Sequence, residues 1–283
     1  MKKTADYIRR IEIDSLWSGR HHIVWELRPD VNILSGVNGV GKSTILNRVV
    51  KHLLEYRSME RHLDGVDISY SPDDCETVRF DVIRSFDRPV VTSDLLSKVT
   101  DLKLQTELDF QLYMLQRRYL DYQVNLSNRM IALLSSGDED ARQLAQETAG
   151  EKVRFQNLVD RLFRDTGKVI DRESNEIRFL QYDETIEPYQ LSSGEKQMLI
   201  ILLTVLVQNK ECGVLFMDEP EVSLHFEWQK ELISLVRTLN PNVQIILTTH
   251  SPAVVMNGWQ ACVTDVEDII TDAPEPQTVN RPD

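Results

Sequence analysis

Eight residues, Gly36-Val37-Asn38-Gly39-Val40-Gly41-Lys42-Ser43, constrain this chain more than any other stretch, because they spell a full phosphate-binding loop. The context fits. Val31-Asn32-Ile33-Leu34-Ser35 reads as a short buried strand before the loop, and Thr44 to Val50 reads as helix after it. Glycines let successive backbone N–H groups turn inward onto phosphate oxygens, and a helix starting near Lys42 adds the positive end of its dipole. The loop predicts phosphate contacts from Gly36, Asn38, Gly39, Gly41, Lys42, Ser43 and Thr44. Lys42 is placed for the β- and γ-phosphates and Ser43 for Mg²⁺. A chance glycine-rich turn would not set two glycines, Lys and Ser in register between a strand and a helix. The expected ligand is a nucleoside triphosphate with Mg²⁺.

Two further segments carry chemistry. Val214-Leu215-Phe216-Met217-Asp218-Glu219-Pro220 is an apolar strand that ends in two carboxylates. Asp218 is placed to hold Mg²⁺, usually through a water, and Glu219 to polarise an attacking water. Acidic residues also end many strands at a solvated edge, so the pair gains weight only beside the upstream loop. Leu191-Ser192-Ser193-Gly194-Glu195-Lys196-Gln197 reads as a helix start, with Ser192 as cap and Glu195 near the third position. Met198 to Val207 then reads as a buried core helix, half the span that a membrane helix needs.

With these motifs in order, the chain resembles the ATP-binding-cassette ATPases. It is most similar to their soluble branch, related to chromosome-maintenance, RecF-type and overcoming-lysogenization-defect ATPases. The residues that carry the likeness are the loop, Leu191 to Glu195, Asp218-Glu219-Pro220-Glu221-Val222-Ser223-Leu224-His225 and Thr249-His250-Ser251-Pro252. It covers about residues 8–85 and 175–270. The resemblance implies a P-loop α/β fold of cassette-ATPase type, with an antiparallel β lobe and a helical hairpin insertion. It implies ATP hydrolysis at composite sites of a head-to-tail dimer. Ser192 and Gly194 would face the γ-phosphate held by a second subunit, and Ser223 and Leu224 would cross the interface. His250 would contact the γ-phosphate beside the catalytic Glu219. One family feature is missing: the strand Thr77 to Ser85 ends without a Gln, and Gln105 and Gln111 fall in sequence that reads as helix. Trp17, Arg20 and His22 lie where relatives contact the base or ribose, and a half-buried turn aromatic is the equal alternative.

The pattern divides the chain into residues 1–92, with the phosphate loop; 93–165, a helical insertion; 166–270, with the signature, the Asp-Glu strand and the switch His; and a mobile tail, 271–283. Ile11 to Ile13, Ile23 to Leu27, Val66 to Tyr70 and Val78 to Ile83 read as four strands of a sheet lobe. Leu104, Leu108, Leu112, Leu115 and Leu120 recur at helical spacing. A break at Ser135-Ser136-Gly137-Asp138 precedes a second helix through Leu144, Val153, Phe155, Leu158 and Leu162. Ile177 to Tyr182 and Ala261 to Thr264 read as further strands.

Composition limits the partners. With 32 basic and 45 acidic residues the formal charge is −13, so bulk electrostatics repel nucleic acid. Lys51-His52, Arg57 to Arg61 and Arg117-Arg118 are the candidate DNA contacts, but carboxylates and apolar residues interrupt each at helical spacing, and solvated helix faces are the favoured reading. Three cysteines, Cys75, Cys212 and Cys262, are odd in number and unclustered, against a disulfide framework or a zinc site. The opening residues carry no signal-peptide core, so a cytoplasmic protein without membrane contact is expected. The resemblance places it with short bacterial defence ATPases that act on a separate effector such as a nuclease. The alternatives are a DNA-repair or chromosome clamp and, less favoured, a transporter ATPase, against which Glu195 and Glu221 to His225 argue.

Overall fold

The computed structural model describes residues 3–16, 21–57, 65–84, 104–137 and 140–272. Trp17, Arg20, the start of the insertion at 93, Asp138, Arg61 and the tail from 274 lie outside them. The chain forms two compact units. One comprises Met1–Arg84, Cys212–Pro220 and Asn242–Asp283, and the other Ser85–Glu211 and Glu221–Pro241.

The first unit holds a five-stranded parallel sheet, ordered β13 (Val263–Asp265), β4 (Val31–Ser35), β12 (Val243–Thr248), β11 (Gly213–Asp218) and β7 (Phe80–Arg84). Every residue of β11 and β12 is buried, as continuous apolar strands covered on both faces must be. A four-stranded antiparallel sheet runs β14 (Ile270–Asp272), β3 (His21–Glu26), β2 (Tyr7–Leu16) and β5 (Val66–Ser71). Along β2 the buried side chains are Ile8, Ile11, Ile13 and Leu16, which breaks strict alternation twice. A register shift against β5 between Ile8 and Arg10 returns Ile11 to the core face, and a second against β3 between Ile13 and Leu16 returns Leu16, each through one extra residue. Helix α1 (Lys42–Arg57) contributes Ile45, Leu46, Val49, Val50 and Leu53 to the same core cluster as Ile8, Ile11, Ile13, Ile23 and Trp25.

The fourth strand expected in the lobe is two strands. Thr77–Val78 (β6) pairs in parallel with β1 (Thr4–Ala5), whereas Phe80–Arg84 joins the parallel sheet beside β11. The apolar pattern of Val78 to Ile83 is compatible with either sheet, and pairing partners are not written in a single strand.

Gln244, fully buried on β12, fastens the five-stranded and four-stranded sheets of this unit to each other. Its carbonyl accepts from the Ile8 N–H at 2.9 Å, and its amide donates to the Ile8 and Arg28 carbonyls at 2.8 and 2.7 Å.

In the second unit, α2 (Glu107–Ser136) and α3 (Ala141–Leu162) form the helical hairpin, with left-handed Gly137 ending α2. The buried face of α2 runs through Leu108, Leu112, Leu115, Tyr119, Tyr122 and Leu126, so Tyr119 takes the place expected for Leu120. On α3, Phe155, Val159 and Leu162 are buried, but Leu144 and Val153 are exposed. A three-stranded antiparallel sheet, β8 (Val169–Ile170), β9 (Phe179–Gln181) and β10 (Glu184–Ile186), follows the hairpin. Helix α4 (Ser193–Val207) is buried from Glu195 to Leu206, and α5 (Phe226–Leu239) packs against it. Among the described residues no helix is long and apolar enough to cross a membrane.

Replacing Gln244 with Leu leaves three backbone groups at the junction without their partner. At roughly 1–3 kcal/mol per unsatisfied buried group, and with partial rehydration, a loss of about 2–4 kcal/mol is expected. Urea unfolding of Gln244→Leu against wild type measures it. A variant of wild-type stability would show that the junction does not depend on this amide.

Candidate functional site

The phosphate loop is built by backbone geometry. Gly39 and Gly41 sit at φ +85° and +103°, a region that side-chain-bearing residues avoid. Around Gly39 a Cβ would meet nothing within 4 Å, so its backbone borders open space. Asn38, Gly39, Gly41, Lys42, Ser43 and Thr44 line a cavity of 240 Å³ together with Glu219 and His250. Eight of the predicted residues thus meet there, counting the first turn of α1 with its unpaired helix-end N–H groups. Gly36 is outside the lining, but its carbonyl and that of Val37 accept from the Lys42 ammonium at 2.8 and 3.2 Å.

Asp218 ends β11 and is buried. Its Oδ1 accepts two hydroxyl protons, from Ser43 at 2.8 Å and from Thr248 at 2.6 Å. Ser43 Oγ and Asp218 Oδ1 are therefore two hard oxygen donors converging at one point beside the loop. That donor set fits Mg²⁺, which takes one or two protein oxygens and fills its other positions with water and phosphate.

Glu219 follows with φ +47°, a left-handed conformation. Its N–H donates to both the carbonyl and the hydroxyl of Thr248, at 3.1 Å each, which holds the turn. A non-glycine residue held there costs on the order of 1–3 kcal/mol, and such strain clusters at functional positions. His250 Nδ1 lies 3.5 Å from Glu219 Oε1. Thr248 was not singled out from the sequence. The signal was present as a hydroxyl residue two before His250, yet a strand Thr is ordinary until its partner is known.

Ser192 and Gly194 are not among the cavity's lining residues and belong to the other unit. Ser192 caps α4: its Oγ accepts from the Glu195 N–H at 3.4 Å, and Glu195 Oε2 in turn accepts from the Ser192 N–H at 3.0 Å and hydroxyl at 2.9 Å. At Gly194 a Cβ would stand 2.4 Å from the Ser223 carbonyl oxygen. Glycine is required there by backbone approach within the chain, whatever else approaches the helix end. His22 is engaged by Glu12 at 3.1 Å, so it offers no open platform. Arg84, at the end of β7 where a Gln was sought, is in register with Asp218. Cys75, Cys212 and Cys262 are free thiols. Lys51 pairs with Glu55, and Arg117 lies over the Tyr113 ring, as solvated helix faces do.

The signature helix is anchored by two charged contacts that sequence spacing did not show. Glu195 Oε1 accepts from Thr166 Oγ1 at 2.8 Å and Lys168 Nζ at 2.9 Å, and Lys196 pairs with buried Asp109 at 2.8 Å. Burial alone would raise the Glu195 carboxyl, but the hydrogen bonds from Lys168, Ser192 and Thr166 outweigh it and hold it below the usual range. A carboxyl depressed on folding contributes stability above its unfolded pKa, and that contribution is lost as pH falls through the folded value. Glu195→Gln should therefore melt below wild type at pH 7, by an amount on the order of 1–3 kcal/mol for lost charge-assisted bonds. The gap should close as pH drops below the ordinary carboxylate range. Thermal melts of both proteins at pH 7 and then downward through the carboxylate range to about pH 3 test this, and a gap that stays constant over that span would remove Glu195 as its source.

Comparison with known proteins follows the same lines. The chain is 26% identical to Septu protein PtuA of Bacillus thuringiensis, over 88% of this chain and 72% of that protein. Shorter stretches match the retron Vc95 probable ATPase of Vibrio cholerae serotype O1 biovar El Tor (31% identity, 25% of this chain, 16% of that protein) and the retron Ec83 probable ATPase of Escherichia coli (37%, 23% and 14%). In fold it is similar to an Smc head solved in complex with the C-terminal winged-helix domain of ScpA, at TM-score 0.50 and 12% identity, covering 89% of this chain and 91% of that one. The family profile described as "AAA domain, putative AbiEii toxin, Type IV TA system" matches residues 112–257, just over half of the chain. The chain belongs to that family and is an ATPase.

Proposed function

We propose that this ATPase binds ATP and Mg²⁺ in the 240 Å³ cavity and hydrolyses the γ-phosphoanhydride there. The observation that carries the reading is the convergence of Ser43 and Asp218 next to a loop whose cavity also contains Glu219 and His250. The loop amides and Lys42 bind the phosphates. Ser43 and Asp218 would hold Mg²⁺, which when bound would supply charge neutralisation for the phosphates. Glu219, fixed by Thr248, orients and polarises the attacking water, and His250 stands beside it to stabilise the transferring phosphoryl group.

All eight lining residues of the cavity belong to one unit of the chain, and on this reading they form one side of the reaction. Ser192 and Gly194, at the capped amino end of α4, supply the other side from a second subunit in a head-to-tail pair. ATP then favours association, hydrolysis releases it, and the two are coupled in both directions. The biological output belongs to a separate protein effector that docks on the helical hairpin, in a bacterial defence system. The similarity to Septu PtuA and to the retron ATPases supports that setting. A net charge of −13 argues against DNA as the primary partner.

Glu219→Gln keeps size and hydrogen bonding but removes the carboxylate. Steady-state ATP turnover should fall by about 10²-fold or more, the scale of lost general-base chemistry, while ATP affinity changes little. Near-normal turnover would take Glu219 out of the mechanism. The shared site has its own test. Ser192→Arg and Lys42→Ala should each be inactive alone, and mixing them should restore part of the activity, because a heterodimer combines one intact loop with one intact signature. Absence of recovery with heterodimers demonstrably formed would exclude the composite arrangement.

A further inference from the structure

One side of α3 presents Arg154, Asn157 and Arg161 at intervals of three and four, and Arg164 follows in the turn beyond the helix. From Arg154 to Arg161 the row is about 10 Å long. A cavity opens on each side of it, of 360 and 320 Å³, and Asn157 and Arg161 belong to the walls of both. Leu158, Leu206 and Leu239 give the larger cavity an apolar floor, and Arg164 and Lys168 line the smaller.

The charges along this row are incompletely matched. Lys168 is committed to buried Glu195, Lys210 to Glu151 and Arg172 to Asp160. Arg161 touches Glu231 at 3.2 Å, but both side chains are about half exposed, at 52% and 46%, where such a contact is weak. Arg154 donates to the Glu147 carbonyl. Among the described residues neither Arg154 nor Arg164 has a carboxylate partner. An unmatched cationic row beside an apolar cavity runs against the chain's overall charge of −13.

We propose that this row docks an acidic segment of a partner protein, with one bulky apolar side chain in the larger cavity and carboxylates on Arg154, Arg161 and Arg164. Charge complementarity selects the occupant, and the apolar floor separates it from nucleic acid. Phosphates have no use for a leucine-lined cavity, and single strands need exposed aromatic faces for their bases. Tyr122, the one aromatic among the described residues lining either cavity, is buried and donates its hydroxyl to Glu151. Arginine forks on carboxylates give register, and the apolar anchor gives affinity. The inference rests on the effector reading above and names the surface and the chemistry of the partner's segment.

The test uses the full chain and a fluorescein-labelled peptide of twelve residues, rich in Asp and Glu around a central Leu-Phe. Two controls accompany it: the same peptide with Ser in place of Leu-Phe, and a single-stranded DNA of twelve nucleotides. Anisotropy should show salt-sensitive binding of the first peptide and weaker binding of both controls. Arg161→Glu combined with Arg164→Glu should weaken the peptide at least about tenfold, as attraction becomes repulsion. ATPase activity should be unchanged, since neither residue touches the nucleotide cavity. Equal binding by the variant, no binding by wild type, or tighter binding of the DNA would overturn the proposal. Pull-down with the purified product of the neighbouring gene separates the two readings. Capture by wild type and variant alike keeps the effector and discards the row. Capture by neither, while the peptide still titrates the row, discards the effector and leaves the acidic-segment site standing.

Discussion

A single carboxylate oxygen, Asp218 Oδ1, ties together the three pieces of backbone on which the nucleotide cavity depends. It receives the Ser43 hydroxyl from the first turn of α1 and the Thr248 hydroxyl from the end of β12, while its own residue ends β11. Thr248 then passes the constraint on, because the same hydroxyl accepts the N–H of Glu219. Loop, Asp-Glu strand and His250 segment are thereby fixed to one another by three short hydrogen bonds inside a parallel sheet whose central strands are fully buried. In a low-dielectric setting such a chain of bonds is stiff, and the Glu219 turn that hangs on it is held in place.

The signature helix depends on a different kind of constraint. Helix α4 is apolar through most of its length and would pack against α5 in more than one rotation. Its first turn removes that freedom. Glu195 is held by Lys168 and Thr166 at the exit of the hairpin, and Lys196 by Asp109, a residue of the capping box that starts α2. Buried ion pairs of this sort add little net stability over apolar contacts but penalise every arrangement that separates the charges. The hairpin and the signature end of α4 are consequently one mechanical piece, and a protein bound to the hairpin has a direct route to Ser192.

Much of this was legible in the residues. Strand, loop and helix around Gly36 to Ser43 follow from glycine, lysine and serine at fixed offsets. Glu219 and His250 reach the cavity because each follows a strand of one parallel sheet, and Asp218 ends one of those strands against Ser43. Sequence order failed where the partner of a residue decides its role. Val78 to Ile83 reads as one strand of the lobe, yet the chain divides it between two sheets. Leu120 has the right spacing but Tyr119 has the right angle, since a 30-residue helix drifts against any integer count. Gln244, Thr248 and Lys168 show nothing special in isolation. Their importance comes from groups 236, 30 and 27 positions away.

Gly194 carries two demands at once. The Ser223 carbonyl lies against its Cα so closely that even a methyl group would displace it, which holds the segment around Ser223 to the helix cap. A glycine at a helix start also gives an incoming anion its nearest approach to unpaired N–H groups. Both demands fall on one residue, and alanine would fail the first before the second was ever tested. Loss of activity in a Gly194 variant therefore says nothing about phosphate contact. Ser192 is exposed, so although its replacement also removes the cap of α4, it is a better position than Gly194 at which to separate a contribution to a partner's site from the packing of its own chain.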